Sequence, residues 1–207
     1  MAATTNILIV GVGGQGIVLA GDVIGLAARL SGLEAKASEV HGMSQRGGSV
    51  VSEVRFGAEV FSPLIPPPGA DVLLGFELLE GLRGLERLRP GGLAIVNRQR
   101  IIPSSVTYGG AVYPADAEEQ LQQACPDALL IDALEIATEL GNARAVNNVL
   151  LGVLSAGCAL PLESWEEAIR RTVKPRFVEL NLTAFHRGRS MGFRQTESAG
   201  MVPAQNG

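Results

Sequence analysis

Apolar residues form short continuous runs along the chain, and helical patterns lie between them. The first run covers residues 7–10, and comparable runs recur at 70–75, 93–97 and 129–132. A continuous apolar run of this length is typical of a parallel strand that is buried on both faces. Strands that alternate with helices predict an α/β, Rossmann-like fold, in which helices cover both faces of a mostly parallel sheet.

Helical periodicity fills the intervals between these strands. The predicted helices cover residues 17–29, 77–88, 114–124, 133–140, 145–156, 163–173 and 177–187. Because no strand pattern remains beyond Gly141, the chain is expected to end in C-terminal helices. Residues 6–188 are predicted to form a single domain. The polar stretch 189–207 lacks periodicity, and its last ten or so residues are expected to be disordered.

Four further strands are predicted from weaker signals. Residues 33–38 would complete a βαβ unit with the first strand, and 107–113 would join the sheet beyond 93–97. Residues 49–56 alternate between apolar and polar side chains, which is the period of a half-buried strand. Because Gly57-Ala58 suggests a turn into 59–61, these segments predict an inserted β-hairpin. At the far end, Asp132 is a candidate N-cap for the helix that follows it.

Glycines at 11, 13 and 16 follow the first strand directly and precede a helix. This spacing matches the dinucleotide-binding fingerprint, in which the backbone approaches a pyrophosphate at a helix N-terminus. An NAD site would also need an acidic residue near the end of the second strand, and Glu39 stands close to that distance. A third interpretation is that the glycines serve helix–sheet packing alone. The motif by itself leaves the ligand open.

A second glycine-rich segment covers residues 39–49, with the sequence Glu-Val-His-Gly-Met-Ser-Gln-Arg-Gly-Gly-Ser. It combines a guanidinium group, an amide, a hydroxyl and three glycines where a nucleotide-binding fold would normally enter a helix. Arg46 offers a planar fork for phosphate or carboxylate. The segment is therefore interpreted as a binding surface, with an ordinary solvated loop as the alternative.

Composition excludes several classes of function. A formal net charge of −4 gives no electrostatic footprint for nucleic acid or for an acidic membrane. The N-terminus has no basic region of the kind that begins a signal peptide, and no apolar run reaches about 18 residues, so a cytoplasmic location is expected. Cys125 and Cys158 are isolated in the sequence and cannot by themselves hold an iron–sulfur cluster or a zinc ion.

A self-contained catalytic set is missing from the sequence. It has no Gly-x-Ser-x-Gly elbow, no phosphate-loop lysine motif and no His-Glu-x-x-His motif. His41 lies in the second glycine-rich segment without an obvious orienting partner, and His186 is expected to serve packing or to lie on the surface. A chain with a good anion-binding turn and no catalytic set is expected to be a subunit of a larger enzyme.

Four motifs together resemble a known family: 11–16, 39–49, 147–152 and 181–185. They are similar to the gamma-type domain of 2-oxoacid:ferredoxin oxidoreductases, and the Met-Ser-Gln-Arg-Gly-Gly version is most similar to the small subunit of the indolepyruvate type. The resemblance implies a complex that oxidatively decarboxylates a 2-oxoacid on thiamine diphosphate, passes electrons through iron–sulfur clusters to ferredoxin, and releases an acyl-CoA. It further implies that a large partner subunit carries the thiamine diphosphate and the [4Fe-4S] clusters.

Under this resemblance the chain supplies a domain that contacts coenzyme A (CoA) and has no catalytic or metal-binding residue of its own. Contact with the CoA phosphates is assigned first to residues 13–16. For residues 44–48, contact with CoA and contact with the partner's thiamine site both stay open. The predicted cofactor-binding residues are Gly11, Gly13, Gly14, Gln15, Gly16, Ser44, Gln45, Arg46, Gly47 and Gly48. A freestanding NAD-binding protein with Glu39 as the ribose ligand is the alternative function, and a structural module is a third.

Overall fold

The computed structural model describes residues 4–41, 48–102 and 112–198, with backbone alone at His41 and at 193–198. Six strands and seven α-helices are found in these ranges. The strands are β1 Thr5–Val12, β2 Glu34–His41, β3 Ser49–Gly57, β4 Ala70–Gly75, β5 Leu88–Asn97 and β6 Leu129–Ile131. The helices are α1 Ile17–Leu30, α2 Leu78–Gly84, α3 Ala117–Ala124, α4 Ala133–Glu139, α5 Val146–Ala156, α6 Leu162–Thr172 and α7 Val178–Ser198. Short 3₁₀ turns occupy Leu85–Arg87, Ala143–Ala145 and Pro175–Phe177.

The six strands form one sheet in the order β2-β3-β1-β4-β5-β6. Strands β1, β4, β5 and β6 are parallel neighbours, whereas β3 is antiparallel to both β1 and β2. Along β1, Ile7 and Ile9 pack into the core on one face, and Leu8 and Val10 pack into the core on the other. Both faces of β1 are therefore buried, which explains why this strand is apolar at successive positions. The predicted α/β class with helices on both faces is confirmed.

The antiparallel hairpin is present, but its strands differ from the predicted ones. Strand β3 pairs with β2 and inserts between β2 and β1, over eight residue pairs on each side. The predicted partner segment 59–61 is not a strand, and the Val60 N–H donates instead to the Glu34 carboxylate at 2.8 Å. Three residues offer few ladder hydrogen bonds, whereas pairing with β1 and β2 satisfies both edges of β3. Because β3 intervenes, β2 is not the neighbour of β1 in the sheet.

Helices α5 and α7 cross with their backbones in contact. An ideal Cβ on Gly152 would lie 2.0 Å from the Phe185 carbonyl oxygen, and one on Gly188 would lie 2.0 Å from the Val149 carbonyl oxygen. Helix α7 continues to Ser198, so the domain boundary predicted at 188 lies inside this helix. The correction has a physical reason, because Gly188 lies inside the helix and its missing side chain permits close packing against α5, which the polar, non-periodic sequence does not indicate. The expected disorder of the last residues falls mainly on 199–207, outside the described ranges.

Other boundaries need smaller corrections. Strand β5 begins at Leu88 rather than at the predicted residue 93, and most of the strand predicted at 107–113 lies outside the described residues. The Asp132 side chain does not cap α4; it pairs with the Arg98 guanidinium over 2.7 Å. In the described part of the chain, no helix has the length and apolar character needed to cross a membrane.

Candidate functional site

The glycine-rich turn joins the end of β1 to the start of α1. Gly14 and Gly16 adopt φ angles of 98° and 82°, in the left-handed region that favours glycine. A Cβ on Gly11 would lie 2.8 Å from both the Gln15 Oε1 and the Phe76 Cβ, so that position requires glycine for packing. The turn that the fingerprint predicted between a strand and a helix is present, and Gly11 and Gly16 require glycine for different physical reasons.

The N-terminus of α1 opens at this turn. Gly16 is the N-cap residue and provides no side-chain cap, and the first turn contains no acidic residue. The first intrahelical hydrogen bond runs from the Ala20 N–H to the Gly16 carbonyl at 3.0 Å, so the N–H groups before it have no acceptor within the helix. These N–H groups and the helix dipole favour an anion at this end of α1.

Gln15 holds the turn in place from within the protein. Its Oε1 accepts the Val12 N–H at 2.8 Å, and its Nε2 donates to the Phe76 carbonyl at 2.9 Å and to Gln99 Oε1 at 3.3 Å. Both N–H groups of the amide are thus engaged, although the sequence suggested that this amide was available to a ligand. Gln15 therefore acts as a positioning residue that ties the turn to the ends of β4 and β5.

The second glycine-rich segment contacts this turn through Gly48, near the end of the segment. The Gly13 N–H donates to the Gly48 carbonyl at 3.0 Å, and the adjacent Ser49 hydroxyl donates to Glu80 Oε2 at 2.5 Å. The Glu80 side chain is buried and also pairs with Arg83. Ser44, Gln45, Arg46 and Gly47, together with residues 42 and 43, lie outside the described residues. The two motifs are consequently joined by a direct backbone hydrogen bond.

A cleft of about 650 Å³ opens in front of the turn and the α1 N-terminus. Its size is within the usual range for small-molecule sites. The residues that line it come from the turn, from the segment after β5 and from the start of α5. They are Gly13, Gly14, Gln15, Gly16, Leu19, Gln99, Ile101, Ala143, Arg144, Val146 and Asn147.

Two amide side chains in this cleft are oriented by hydrogen bonds to their oxygens. Gln99 Oε1 accepts from Gln15 Nε2 and from Asn97 Nδ2, both at 3.3 Å. Asn147 Oδ1 accepts from the Asn148 N–H at 2.9 Å and from Asn148 Nδ2 at 3.1 Å. A flipped amide would oppose donor to donor, so each NH₂ group faces away from these partners. Asn147 Nδ2 lies 3.3 Å from the ideal Cβ position of Gly16, beside the helix N-terminus.

A second compartment of about 410 Å³ adjoins the first, and the two share Leu19, Arg144 and Asn147. Its other lining residues are Asn142, Thr172, Val173, Lys174, Phe177 and Asn181. Among the described residues that line the two compartments, none is an aspartate or a glutamate. The cleft therefore combines amide donors, a helix N-terminus and two cationic side chains, which suits an anionic ligand.

The acidic residue that an NAD site requires is not in the position that such a site needs. Glu39 lies within β2, opposite Ser52 of β3, and β3 separates it from β1. In a dinucleotide site the acidic residue ends the strand next to β1. The NAD interpretation thus has no support from the structure.

His186 is on the surface, where its Nε2 lies 3.2 Å from Glu166 Oε1.

The described ranges contain no group of three or more His, Cys, Asp or Glu side chains placed to hold a metal ion. Burial raises the pKa of the Cys125 and Cys158 thiols, which disfavours the thiolate that metal ligation needs. Both cysteines are reduced and separate from the cleft. An iron–sulfur cluster therefore does not fit the described part of this chain.

Sequence reasoning missed Gln99, Arg144 and Lys174, because each comes from a segment without a motif and reaches the cleft only through the tertiary fold. For Asn147 and Asn148 the sequence did contain a signal, because two adjacent amides in an apolar helix need hydrogen-bond partners when they are buried. Both are indeed buried, and Asn148 Nδ2 donates to Asn181 Oδ1 at 2.6 Å.

The comparisons with known proteins agree with this fold. A family model described as pyruvate ferredoxin/flavodoxin oxidoreductase matches residues 6–191. The chain is similar to the indolepyruvate oxidoreductase subunit IorB of Archaeoglobus fulgidus, with 43% identity over 197 residues that cover 93% of this chain and 96% of that one. For IorB of Pyrococcus horikoshii the identity is 42% over 190 residues, with 88% and 93% covered. The gamma subunit of a keto/oxoacid ferredoxin oxidoreductase from Geobacter sulfurreducens has a TM-score of 0.69 at 26% identity and covers 92% of this chain and 99% of that one.

The fold and the relatives together define an oxidoreductase subunit of the gamma type, in which a glycine-rich turn faces a cleft. The chain belongs to the pyruvate ferredoxin/flavodoxin oxidoreductase family. The family that the four sequence motifs predicted is confirmed.

Proposed function

We propose that this chain is the small subunit of a thiamine-diphosphate-dependent 2-oxoacid:ferredoxin oxidoreductase that acts on indolepyruvate or a related aryl pyruvate. The complete enzyme would oxidatively decarboxylate the 2-oxoacid to an acyl-CoA and pass the electrons to ferredoxin. The chain would assemble in the cytoplasm with a large subunit that carries the thiamine diphosphate and the [4Fe-4S] clusters. Its identity of 43% to an indolepyruvate oxidoreductase subunit supports this substrate class.

The observation that carries the role of this chain is a cleft whose described lining brings several hydrogen-bond donors together and contains no carboxylate. CoA bears a pyrophosphate, whose oxygens only accept hydrogen bonds at neutral pH. The N-terminus of α1, the oriented NH₂ group of Asn147 and the Arg144 guanidinium converge on one cleft without an acidic neighbour in its described lining. These residues would bind and orient the CoA phosphates, while the acyl transfer takes place on the partner subunit.

The segment 44–48 is proposed to contact either CoA or the partner's thiamine site. Its exit is fixed against the glycine-rich turn by the hydrogen bond from Gly13 to Gly48. A loop held there can reach a ligand in the cleft or a protein surface beyond it. Arg46→Ala distinguishes the two roles, since contact with CoA predicts a weaker Kd for CoA and contact with the thiamine site predicts a lower kcat at unchanged Kd.

Reconstitution tests the proposal as a whole. The purified chain should show no 2-oxoacid-dependent dye reduction, and addition of the large subunit should produce activity that requires CoA. In that complex, Asn147→Asp should weaken CoA binding about tenfold, because it replaces a charge-assisted donor with a repelling carboxylate. Lys36→Met on the edge strand β2, outside the lining of both compartments, is the control and should leave CoA binding unchanged. The proposal fails if aryl pyruvates give no activity, or if Asn147→Asp folds normally and binds CoA as the unmodified chain does.

A further inference from the structure

The second compartment has features that the binding of a pyrophosphate at the α1 N-terminus does not use. It lies where α6 ends and α7 begins, around Thr172, Lys174 and Phe177. We propose that this compartment binds the 3′-phosphoadenosine end of CoA, with Lys174 and Arg144 on the 3′-phosphate and the Phe177 ring against the adenine. The inference rests on the proposed function and assigns the nucleotide end of the same ligand.

Charge is the first argument. CoA carries all its negative charge on the nucleotide side, whereas its pantetheine arm is uncharged. Arg144 and Lys174 both line the second compartment, and neither forms an ion pair with another residue in the described ranges. Two cations that lack protein carboxylates beside a cleft favour a phosphate group. The first compartment contributes only one of them, Arg144.

The second argument is the aromatic wall. The Phe177 side chain is about one-third exposed, at 36%, and it lines the compartment together with the apolar residues Leu19 and Val173. The Arg176 guanidinium lies 4.7 Å from the centre of the Phe177 ring but does not line the compartment. An aromatic surface beside a cation is a sequence-tolerant platform on which a nucleobase can stack.

The third argument is the rigidity of the link between the compartments. Asn181 Nδ2 donates to the Phe177 carbonyl at 2.7 Å, and Asn181 Oδ1 accepts from Asn148 Nδ2 at 2.6 Å. Asn148 in turn holds the amide oxygen of Asn147 in the first compartment. All three asparagines are buried, so the chain of hydrogen bonds fixes the phosphate-binding and ring-binding walls relative to each other. One extended ligand that spans both compartments matches this construction.

The test compares CoA with dephospho-CoA, which lacks the 3′-phosphate, by calorimetric titration of the assembled two-subunit complex. Lys174→Met should raise the Kd for CoA about tenfold, the loss of one charge-assisted contact, and should leave the Kd for dephospho-CoA within about twofold. Phe177→Leu should raise both values by a similar factor of about ten, because both ligands carry the adenine. Lys36→Met is the control for a loss of positive charge elsewhere and should change neither.

An equal effect of Lys174→Met on the two ligands, or no effect on either, would overturn the assignment of the 3′-phosphate. Lys174 is exposed, so its substitution is expected to leave the fold intact, and thermal unfolding checks this. If Asn147→Asp weakens CoA binding but the Lys174 and Phe177 variants do not, the first compartment binds the ligand and this inference alone fails. If all three variants bind CoA normally, the proposed CoA site itself fails.

Discussion

The backbone N–H of Gly13 donates a hydrogen bond to the carbonyl oxygen of Gly48 over 3.0 Å. This contact joins two glycine-rich motifs that are 35 positions apart in the sequence, as the residue numbers show. It exists because β3 pairs with β1 in an antiparallel register that brings Ser49 opposite Val12. Gly48, the residue before β3, therefore lies at the same end of the sheet as the turn after β1.

The hydrogen bond from Ser49 to Glu80, next to this contact, can be tested by substitution of Ser49. Ser49→Ala removes the hydroxyl that donates to the buried carboxylate of Glu80. We expect the free energy of unfolding to fall by about 1.5 kcal/mol, since the acceptor is charged. Urea denaturation measures the change, and Ser38→Ala on strand β2 provides the control. A loss no larger than that of the control would show that Ser49 does not anchor the exit of the loop.

Gln15 provides a test of a positioning role against a binding role. Gln15→Ala removes three hydrogen bonds that connect Val12, Phe76 and Gln99. We expect a loss of about 2 kcal/mol in the free energy of unfolding, because backbone groups near the turn lose their partners. Gln122→Ala at an exposed position of α3 should change stability by less than about 0.5 kcal/mol. Normal stability of Gln15→Ala together with weakened CoA binding would instead make Gln15 a direct ligand contact.

The α5–α7 crossing predicts a strong effect at Gly152. In Gly152→Ala the new methyl carbon would lie 2.0 Å from the Phe185 carbonyl oxygen, so the helices must separate. We expect a loss of about 3 kcal/mol in the free energy of unfolding, at the upper end for overpacking. Gly157→Ala is the control, because its nearest neighbour outside the local chain would be 4.0 Å from the new carbon. Similar unfolding midpoints for the two variants would contradict this helix contact.

Tyr113 predicts a pH dependence of stability. Burial and the hydrogen bond from its hydroxyl to Glu77 Oε1, 2.7 Å long, raise the pKa of Tyr113 well above its ordinary value near 10. The folded state therefore retains the phenol proton at pH values where the unfolded state has lost it. Stability from this source is complete below about pH 10 and is lost as the pH rises further, as linkage requires.

The measurement is the unfolding midpoint in urea at pH 8 and at pH 10.5. The unmodified chain should lose more stability between these values than Tyr113→Phe, which has no proton to lose at this position. Absorbance at 295 nm during the titration should show one tyrosine ionising later in the unmodified chain than in the unfolded protein. Equal losses for the two proteins would contradict the raised pKa.

Much of the fold could be predicted because the relevant signals are local. The apolar run at 7–10 indicates burial on both faces, and the glycine spacing that follows indicates a turn into a helix. The same local signals failed near Gly188, where the predicted helix and domain end but the structure continues α7 to Ser198. The space available for that glycine is set by Val149 on another helix, and no window of sequence contains this information.

For the candidate site, too, some features follow from the sequence and others only from the tertiary structure. The sequence by itself determined the α/β class and the glycine-rich turn into a helix, because strand burial and backbone conformation depend on neighbouring residues. It also indicated the family, through four motifs. The tertiary structure decided that β3 lies between β1 and β2, that Gln15 holds the turn, and that Gln99, Arg144 and Lys174 line the cleft. These outcomes depend on long-range pairing and packing, which select partners from distant parts of the chain.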